Sequence, residues 1–299
     1  MSKKTVKEVR YATRIAGGST LTKDGRSTAL EKFFRVMNKE LNLQVKSFTT
    51  LKASQVKTYI NHQSESGNTH RSIQNQLGHI RQALRAANRG HFADSGPMSN
   101  KAMGVAGATR DGTHRPLTQL QYQAVLAAKR ATNPGAACCM ELQRELGLRA
   151  REAIQSPPSL KAWAQALKNR MPGEIIHGTK GGRKRWMAEL NHERALHAVE
   201  TANLVAQAQG GQLIVAKNLK AAARAYCRAC ANVGLKGEYA SHSLRCTYAL
   251  DRYQMYIELH GDRREALASV SVDLGHGDGR GTYVAQVYLK NPPRELPLI

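Results

Sequence analysis

Acidic residues are scarce in this 299-residue chain, and so are aromatic ones. It has 22 Asp and Glu against 45 Lys and Arg, which gives a formal net charge of +23. Such an excess destabilises a compact fold by self-repulsion unless a polyanion neutralises it, and nucleic acid is the usual polyanion. Because aromatic side chains make up only 5% of the chain, stacking on unpaired bases is a poor candidate for the main binding mode. The composition therefore favours contacts to nucleic-acid phosphates.

The chain also lacks long apolar runs and a cysteine framework. No run approaches the ~20 residues of a membrane span, no basic amphipathic helix suggests an anchor, and residues 1–7 lack the apolar segment of a signal peptide. The five cysteines are odd in number, in a chain too large for a disulfide scaffold. Cys227 and Cys230 have CxxC spacing, but a zinc site needs a second ligand pair. We expect reduced core cysteines, no metal and a cytoplasmic compartment.

Apolar periodicity and turn residues predict a mainly α-helical chain with a small antiparallel β-sheet, in two domains. We predict a basic, flexible arm over residues 1–20, a helical bundle over 21–92, a Gly- and Pro-containing linker over 93–116, and a second domain over 117–299. The hydrophobic fraction of 41% is typical of globular proteins. The chain is long enough to bury a sizeable core.

The bundle is predicted to contain three helices. The first begins at Thr28, with Glu31 as its capping-box partner, the second begins after Ser54, and the third covers about residues 68–88. On the third helix, three arginines spaced four residues apart share one face. They predict a DNA-binding surface formed by Arg81, Arg85 and Arg89.

The second domain is predicted to be helical around one β-hairpin. Thr118 and Gln121 form a capping-box pair at its start. Residues 174–177 and 185–190 have the composition of two strands on either side of a Gly-rich basic turn. Helices are predicted at about residues 118–131, 136–146, 150–155, 192–208, 216–232, 243–259 and 263–273.

Six side chains of the second domain together suit the chemistry of one phosphodiester. The planar fork of arginine binds two phosphate oxygens, lysine and histidine transfer protons, and a tyrosine hydroxyl can attack phosphorus. Taken singly, each has a simpler interpretation, such as a surface charge, a capped helix or a solvated basic turn. The six are Arg149, Lys180, His242, Arg245, His276 and Tyr288.

The motifs around these residues resemble those of the tyrosine recombinase, or phage integrase, family. They are Gly147-Leu148-Arg149-x-x-Glu152, His242-Ser243-Leu244-Arg245, Leu274-Gly275-His276 and Gln286-Val287-Tyr288-Leu289. The resemblance is strong over residues 117–299 and rests on the helical pattern alone over 20–92. It implies a core-binding domain followed by an α+β catalytic domain, with site-specific DNA strand exchange as the function.

The resemblance also implies a role for each residue. The two arginines would hold the scissile phosphate, the two histidines would assist them, and Lys180 would protonate the departing 5′-oxygen. Tyr288 would attack to form a 3′-phosphotyrosyl link, without a metal or a cofactor. Glu152 would orient Arg149 or Lys180, or else serve as a charge at a helix N-terminus.

One spacing departs from the family pattern. His276 and Tyr288 are twelve residues apart, more than is usual in the family, and Tyr283 lies between them. We prefer Tyr288 as the nucleophile, because its neighbours match the family motif, and keep Tyr283 as the alternative. Beside Lys180, three basic residues of the turn are predicted to contact the DNA backbone, namely Arg183, Lys184 and Arg185.

The expected partners also follow from the resemblance. It implies double-stranded DNA attachment sites and a homo-tetramer on DNA, formed from a chain that is monomeric in free solution, in the bacterial cytoplasm and associated with the nucleoid. Because residues 291–299 form a short tail with an apolar end, we also hypothesise that this tail docks on a neighbouring protomer. The need for an accessory DNA-bending protein, the direction of the reaction and the host element stay open. Two alternatives remain, a type IB-like topoisomerase and a non-catalytic basic DNA-binding protein derived from an integrase.

Overall fold

The computed structural model describes residues 3–294 and is built almost entirely of helices. Over those residues it contains fourteen α-helices and one sheet of two antiparallel strands. The chain divides into two compact units, residues 1–109 and residues 110–299, and each unit has its own apolar core. The predicted fold class is confirmed.

Five α-helices make up the described part of the first unit: α1 (Lys3–Ile15), α2 (Thr20–Arg35), α3 (Ala53–Glu65), α4 (His70–Ala86) and α5 (Gly90–Ala93). The side chains of Ser19 and Thr69 accept hydrogen bonds from the first turns of α2 and α4, which satisfies N–H groups that a helix start leaves unpaired. Three predicted helices correspond to α2, α3 and α4. However, α2 begins eight residues before the predicted Thr28.

The prediction of a flexible arm over residues 1–20 is wrong. Val9 and Ala12 of α1 are buried in the core of the first unit. From α2, the buried Arg26 donates a hydrogen bond to the Thr13 carbonyl oxygen at 3.1 Å. Charged residues dominate the sequence of α1. In the structure its basic side chains are exposed, while a short apolar face of the helix packs inward.

The first unit also extends further along the chain than predicted. Met98, Met103 and Val105 are buried in its core, although sequence analysis assigned residues 93–116 to a linker. These three apolar side chains stand among Gly, Ser and Asn, and their spacing shows no helical or strand period. The structural division therefore falls after residue 109, and the functional roles of the two units remain a proposal.

Nine α-helices and the sheet make up the described part of the second unit: α6 (Gln119–Thr132), α7 (Pro134–Glu145), α8 (Ala150–Ile154), α9 (Pro157–Lys168), β1 (Glu174–Ile175), β2 (Arg185–Trp186), α10 (His192–Ala208), α11 (Leu219–Ala231), α12 (His242–His260), α13 (Arg263–Asp273) and α14 (Gly281–Val287). Glu174 pairs with Trp186, and Ile175 pairs with Arg185. The capping box of Thr118 is present as predicted. The hairpin is confirmed, with strands shorter than expected.

Helix α7 runs through the centre of the second unit. Residues 135–145 are all buried, because α6, α10 and α12 pack around this helix. Side chains of α12, α13 and α14 form an adjoining apolar cluster that includes Tyr288. The end of α7 and the beginning of α12 therefore come together next to the C-terminal helices, and most of the predicted site residues lie at this junction.

Two expectations based on composition can be compared with the structure, one about the cysteines and one about membrane-spanning helices. All five cysteines are free thiols; four are buried and Cys227 is exposed. Within residues 3–294, no helix combines the length and the apolar character needed to cross a membrane. The tail predicted to dock on a neighbouring protomer falls mostly on residues 295–299, which lie outside the described residues.

Helix α1 allows a test of its contribution to the fold with two apolar residues. Val9→Ala should lower the free energy of unfolding by about 2 kcal/mol, because it removes two buried methyl groups and leaves a cavity. Ile15→Ala, at a position 56% exposed in the same helix, should change it by less than about 0.5 kcal/mol. Urea denaturation of both variants checks this. If neither variant changes the free energy of unfolding, α1 does not pack against the core of the first unit.

Candidate active site

The end of α7 sets the position of Arg149. Gly147 ends the helix in the left-handed conformation, with φ of 57°, and a Cβ there would lie 2.4 Å from the ring of Tyr248, so glycine is required. The Gly147 carbonyl oxygen accepts hydrogen bonds from Arg185 Nη2, at 3.0 Å, and from Arg245 Nη1. Arg149 follows as the residue that caps α8.

A buried carboxylate, Glu152, collects three guanidinium groups. Its side chain is fully buried, and its oxygens lie 2.6 Å from Arg149, 3.0 Å from Arg185 and 3.8 Å from Arg245. Burial by itself raises the pKa of Glu152, but the attraction of the three arginines outweighs burial and lowers the pKa to about 2. Glu152 is therefore charged at neutral pH. It orients Arg149, which is one of the roles that sequence analysis left open.

Arg245 is fully buried in the first turn of α12. Its Nη2 donates to the Leu274 carbonyl oxygen at 2.6 Å, and Arg149 Nη2 donates to the same oxygen at 3.2 Å. Its Nε donates to the Tyr288 hydroxyl at 3.4 Å. Two guanidinium groups thus converge beside the turn that carries His276. Since they share one carboxylate with a third arginine, this region keeps a surplus of positive charge.

The Tyr288 hydroxyl lies where three other predicted site residues meet. His276 Nε2 is 3.0 Å from it, Arg245 donates to it, and the His242 ring packs with its centroid 5.4 Å from that of Tyr288. Only 3% of Tyr288 is exposed. Because the hydroxyl oxygen accepts a hydrogen bond from Arg245, its own hydrogen can point to His276 when Nε2 of that ring carries no proton.

Both histidines of this cluster are neutral at pH 7. Burial, followed by the positive charge of Arg245, lowers the pKa of His242 to about 3 and the pKa of His276 to about 4. A neutral imidazole has one nitrogen that can accept a proton. His276 therefore has the protonation state and the position of a base for the Tyr288 hydroxyl.

Tyr283 lies close to the cluster but contacts it differently. Its ring packs edge-on against His276, with centroids 5.1 Å apart, and its centroid is 6.3 Å from that of Tyr288. Burial raises the pKa of Tyr283. The hydroxyl that meets both Arg245 and His276 belongs to Tyr288, which favours Tyr288 as the candidate nucleophile.

Lys180 lies at the edge of the cluster. It begins a single 3-10 turn, Lys180–Gly182, between β1 and β2, and its side chain is exposed. Its charge contributes to the lowered pKa of His276, after burial and the nearby arginines, so it lies within electrostatic range. The structure brings together the other five predicted catalytic residues and leaves this lysine on a solvent-exposed turn beside them.

Arg185 does not fit its prediction as a DNA contact. Its side chain is only 5% exposed, and its Nη1 donates to the Asp273 carbonyl oxygen at 2.9 Å. The reason is the alternation of the strand, because residue 185 is buried like its partner Ile175. Arg185 therefore ties the site together from inside. Arg183 and Lys184 are exposed, and their DNA contacts remain predictions.

Arg81 and Arg85 lie on α4, whereas Arg89 follows the end of that helix and precedes α5, and all three take part in contacts within the first unit. Arg81 Nε donates to the Met98 carbonyl oxygen at 3.0 Å, and Arg89 Nη1 donates to two carbonyl oxygens before α3, at 2.9 and 2.7 Å. Arg85 is exposed and forms an ion pair with Asp94. Arg81 and Arg89 therefore stabilise the unit, which the four-residue spacing alone did not reveal. DNA contact by this face remains a prediction.

Sequence analysis missed His114, which joins the candidate site. Its ring centroid is 5.2 Å from that of His242, and burial lowers its pKa. It also missed the support behind the site, where Asp273 accepts hydrogen bonds from Arg252 at 2.7 Å and Tyr256 at 3.1 Å. No motif marks these residues, and His114 stood in the segment assigned to the linker.

Two family models match the chain. The model described as "Phage integrase, N-terminal" matches residues 1–93, and the model described as "Integrase" matches residues 104–251. Together they cover residues 1–251 except for 94–103, and the second match ends in the middle of α12. Among curated protein sequences, none matches the chain significantly.

Solved structures with the same fold include two integrases. The Tn1549 transposon integrase, in complex with transposon right-end DNA, is 15% identical with a TM-score of 0.59, and the match covers 94% of this chain and 93% of that one. A lambda integrase tetramer bound to a Holliday junction is 19% identical with a TM-score of 0.57, over 92% of this chain and 74% of that one. At these identities the likeness establishes the fold.

The lowered pKa values of His242 and His276 predict how stability depends on pH. An unfolded histidine titrates near pH 6.5. Between about pH 6.5 and pH 4 the unfolded chain therefore binds protons that the folded chain does not. The free energy of unfolding should fall as the pH falls through this window, by up to about 1.4 kcal/mol per pH unit for each histidine. His242→Gln should make the slope shallower in urea denaturation at pH 7, 6 and 5, and an unchanged slope would contradict this assignment.

Proposed function

This chain is a member of the phage integrase, or tyrosine recombinase, family, and we propose that Tyr288 is the nucleophile with which it cuts and rejoins duplex DNA at specific sites. The observation that carries the proposal is the Tyr288 hydroxyl, held between His276 Nε2 at 3.0 Å and Arg245 Nε at 3.4 Å. A phenol placed against a neutral base and a buried guanidinium has what an attack on phosphorus requires.

The cleavage step follows from the charges of the site. Arg149 and Arg245 would bind the non-bridging oxygens of the scissile phosphate and stabilise the charge that builds up during transfer. Tyr288 Oη forms a bond to phosphorus while its proton passes to His276. The bond from phosphorus to the 5′-oxygen breaks, and that oxygen takes a proton from Lys180.

The product of this step is a 3′-phosphotyrosyl link to one strand and a free 5′-hydroxyl on the other side of the break. Because the phosphoester bond to Tyr288 conserves the energy of the original bond, a 5′-hydroxyl can attack it and restore the DNA backbone. Rejoining to a different strand gives recombination. The same residues act in reverse, and no step calls for a nucleotide or metal cofactor.

Assembly on DNA is a further part of the proposal. Recombination exchanges strands between two duplexes, so we infer that four copies of this chain act together on a pair of attachment sites. We also infer that the chain is a monomer in free solution and assembles on the DNA. The solved lambda integrase tetramer on a Holliday junction and the Tn1549 integrase on transposon-end DNA support this inference by their fold. We place the reaction in the bacterial cytoplasm, on the DNA of a mobile element.

The nucleophile can be tested by trapping the covalent intermediate. On a nicked suicide duplex from the ends of the encoding element, the wild-type protein should accumulate a denaturation-resistant protein–DNA adduct. Tyr288→Phe should reduce the adduct to background and still bind the duplex, because only one oxygen atom is lost. Gel electrophoresis and a binding titration measure the two properties.

The matched control is Tyr283→Phe, which removes the neighbouring hydroxyl. It should leave the adduct in place. Loss of the adduct in Tyr283→Phe, with retention in Tyr288→Phe, would show that the nucleophile is Tyr283. A wild-type protein that binds the duplex, forms no adduct and does not recombine it would favour the non-catalytic alternative. Relaxation of a plasmid without an attachment site would favour the topoisomerase.

Lys180 can be tested through the leaving group. Lys180→Ala should slow cleavage of ordinary DNA by about 100-fold or more, as expected for loss of a general acid. A duplex with a 5′-bridging sulfur at the scissile position should restore the rate, because a thiolate leaves without a proton. Lys184→Ala, in the same turn, should weaken DNA binding and show no recovery specific to sulfur. Equal defects on both duplexes would exclude Lys180 as the acid.

A further inference from the structure

Residues 111–115, which we call the strap, lie against the segment that carries Tyr288. Gly112 N–H donates to the Gln286 carbonyl oxygen at 2.9 Å, and Gln286 Nε2 donates back to Asp111 Oδ1 at 2.9 Å. Asp111 also forms an ion pair with Lys290. The strap and the segment around Tyr288, which we call the nucleophile segment, are about 175 residues apart in sequence. They are nevertheless joined through Gln286, before Tyr288, and through Lys290, after it.

Contacts continue on the other side of the tyrosine. Asn291 Nδ2 donates to the Gly112 carbonyl oxygen at 2.8 Å and to the His114 carbonyl oxygen at 3.1 Å. Arg115 donates to the Pro292 carbonyl oxygen. The strap therefore contacts the chain both before and after Tyr288. Only a few residues between these contacts are free to change position.

The closest approach is at Gly112. A Cβ at this position would lie 1.9 Å from the Val287 carbonyl oxygen and 2.7 Å from its carbonyl carbon. The obstacle is backbone, which cannot rotate aside like a flexible side chain. Any side chain at position 112 must therefore displace either the strap or the residue directly before Tyr288.

The strap is itself fixed to the phosphate-binding side of the site. Arg115 N–H donates to the Glu238 carbonyl oxygen at 2.8 Å, and Arg115 Nε pairs with the Glu238 carboxylate at 3.1 Å. Its other contact is the His114 ring, which packs on His242. The same five residues thus touch the segment that precedes α12, the histidine that begins α12, and the nucleophile segment.

We propose that the strap is a positioning element that fixes the distance of Tyr288 from Arg245 and His276, and so sets the rate of DNA cleavage. This inference rests on the proposed function of Tyr288. The strap residues contact the chain neighbours of Tyr288. Asp111, Gly112, His114 and Arg115 are therefore positioning residues.

Gly112→Ala tests the proposal on the full-length protein with the suicide duplex at saturating concentration. The single-turnover rate of adduct formation should fall by about 100-fold, the loss expected for a displacement of about 1 Å, while affinity for the duplex stays at the wild-type level. The 5′-bridging sulfur should not restore the rate, because the leaving group is not at fault. Thr113→Ala, at the exposed neighbouring residue, should cleave as the wild type does.

Other outcomes have defined meanings. A wild-type rate for Gly112→Ala, or a rate restored by sulfur, overturns the proposal. If Gly112→Ala melts at a lower temperature or fails to bind DNA, Asn291→Ala decides instead, because it removes a side chain and displaces nothing. A slower rate with unchanged melting and affinity supports the strap, and a wild-type rate overturns it. If the wild-type protein forms no adduct, the proposed function has failed, which is a different result.

Discussion

The pairing of one buried carboxylate with three arginines is the constraint on which the rest of the site depends. Without Glu152, the guanidinium groups of Arg149, Arg185 and Arg245 would repel one another in a region of low dielectric constant. The carbonyl oxygens of Gly147 and Leu274 satisfy further N–H groups of the same arginines. One negative charge against three positive charges leaves a surplus, and a site with this surplus suits an anion such as a phosphodiester.

That surplus also explains the state of the histidines and the tyrosine. Positive charge and burial keep His242 and His276 neutral, so His276 can accept a proton from the hydroxyl it contacts. The groups that would stabilise the reacting phosphate are already oriented by their own hydrogen bonds. Little reorganisation is then needed during the reaction. Such preorganised groups are the main source of electrostatic catalysis in enzymes. The exposed Lys180 is the exception, since its side chain is not held by the cluster.

In the second unit, some residues stabilise the fold and others form the candidate site. Helix α7 supplies a buried centre, and Gly147, just after its end, directs its carbonyl oxygen to two arginines. Arg185 lies behind the site and donates to the carbonyl oxygens of Gly147 and Asp273. The Asp273 carboxylate in turn accepts hydrogen bonds from Arg252 and Tyr256. The strap contacts the segment that carries Tyr288. Many supporting side chains thus hold a small number of candidate reacting groups in place. This is common where the positions of reacting groups must be held within a fraction of an ångström.

The sequence by itself determined the helical class, the capping of α6, most helix bounds of the second unit and the identity of the residues that gather at the site. These depend on local periodicity and short motifs, which neighbouring residues encode. Only the tertiary structure decided that α1 packs, that Arg185 turns inward, that His114 joins His242, and that the Tyr288 hydroxyl meets Arg245 and His276. Each of these depends on partners far away in the chain. Arg245 binds a carbonyl oxygen 98 residues earlier, and no local pattern records such a contact.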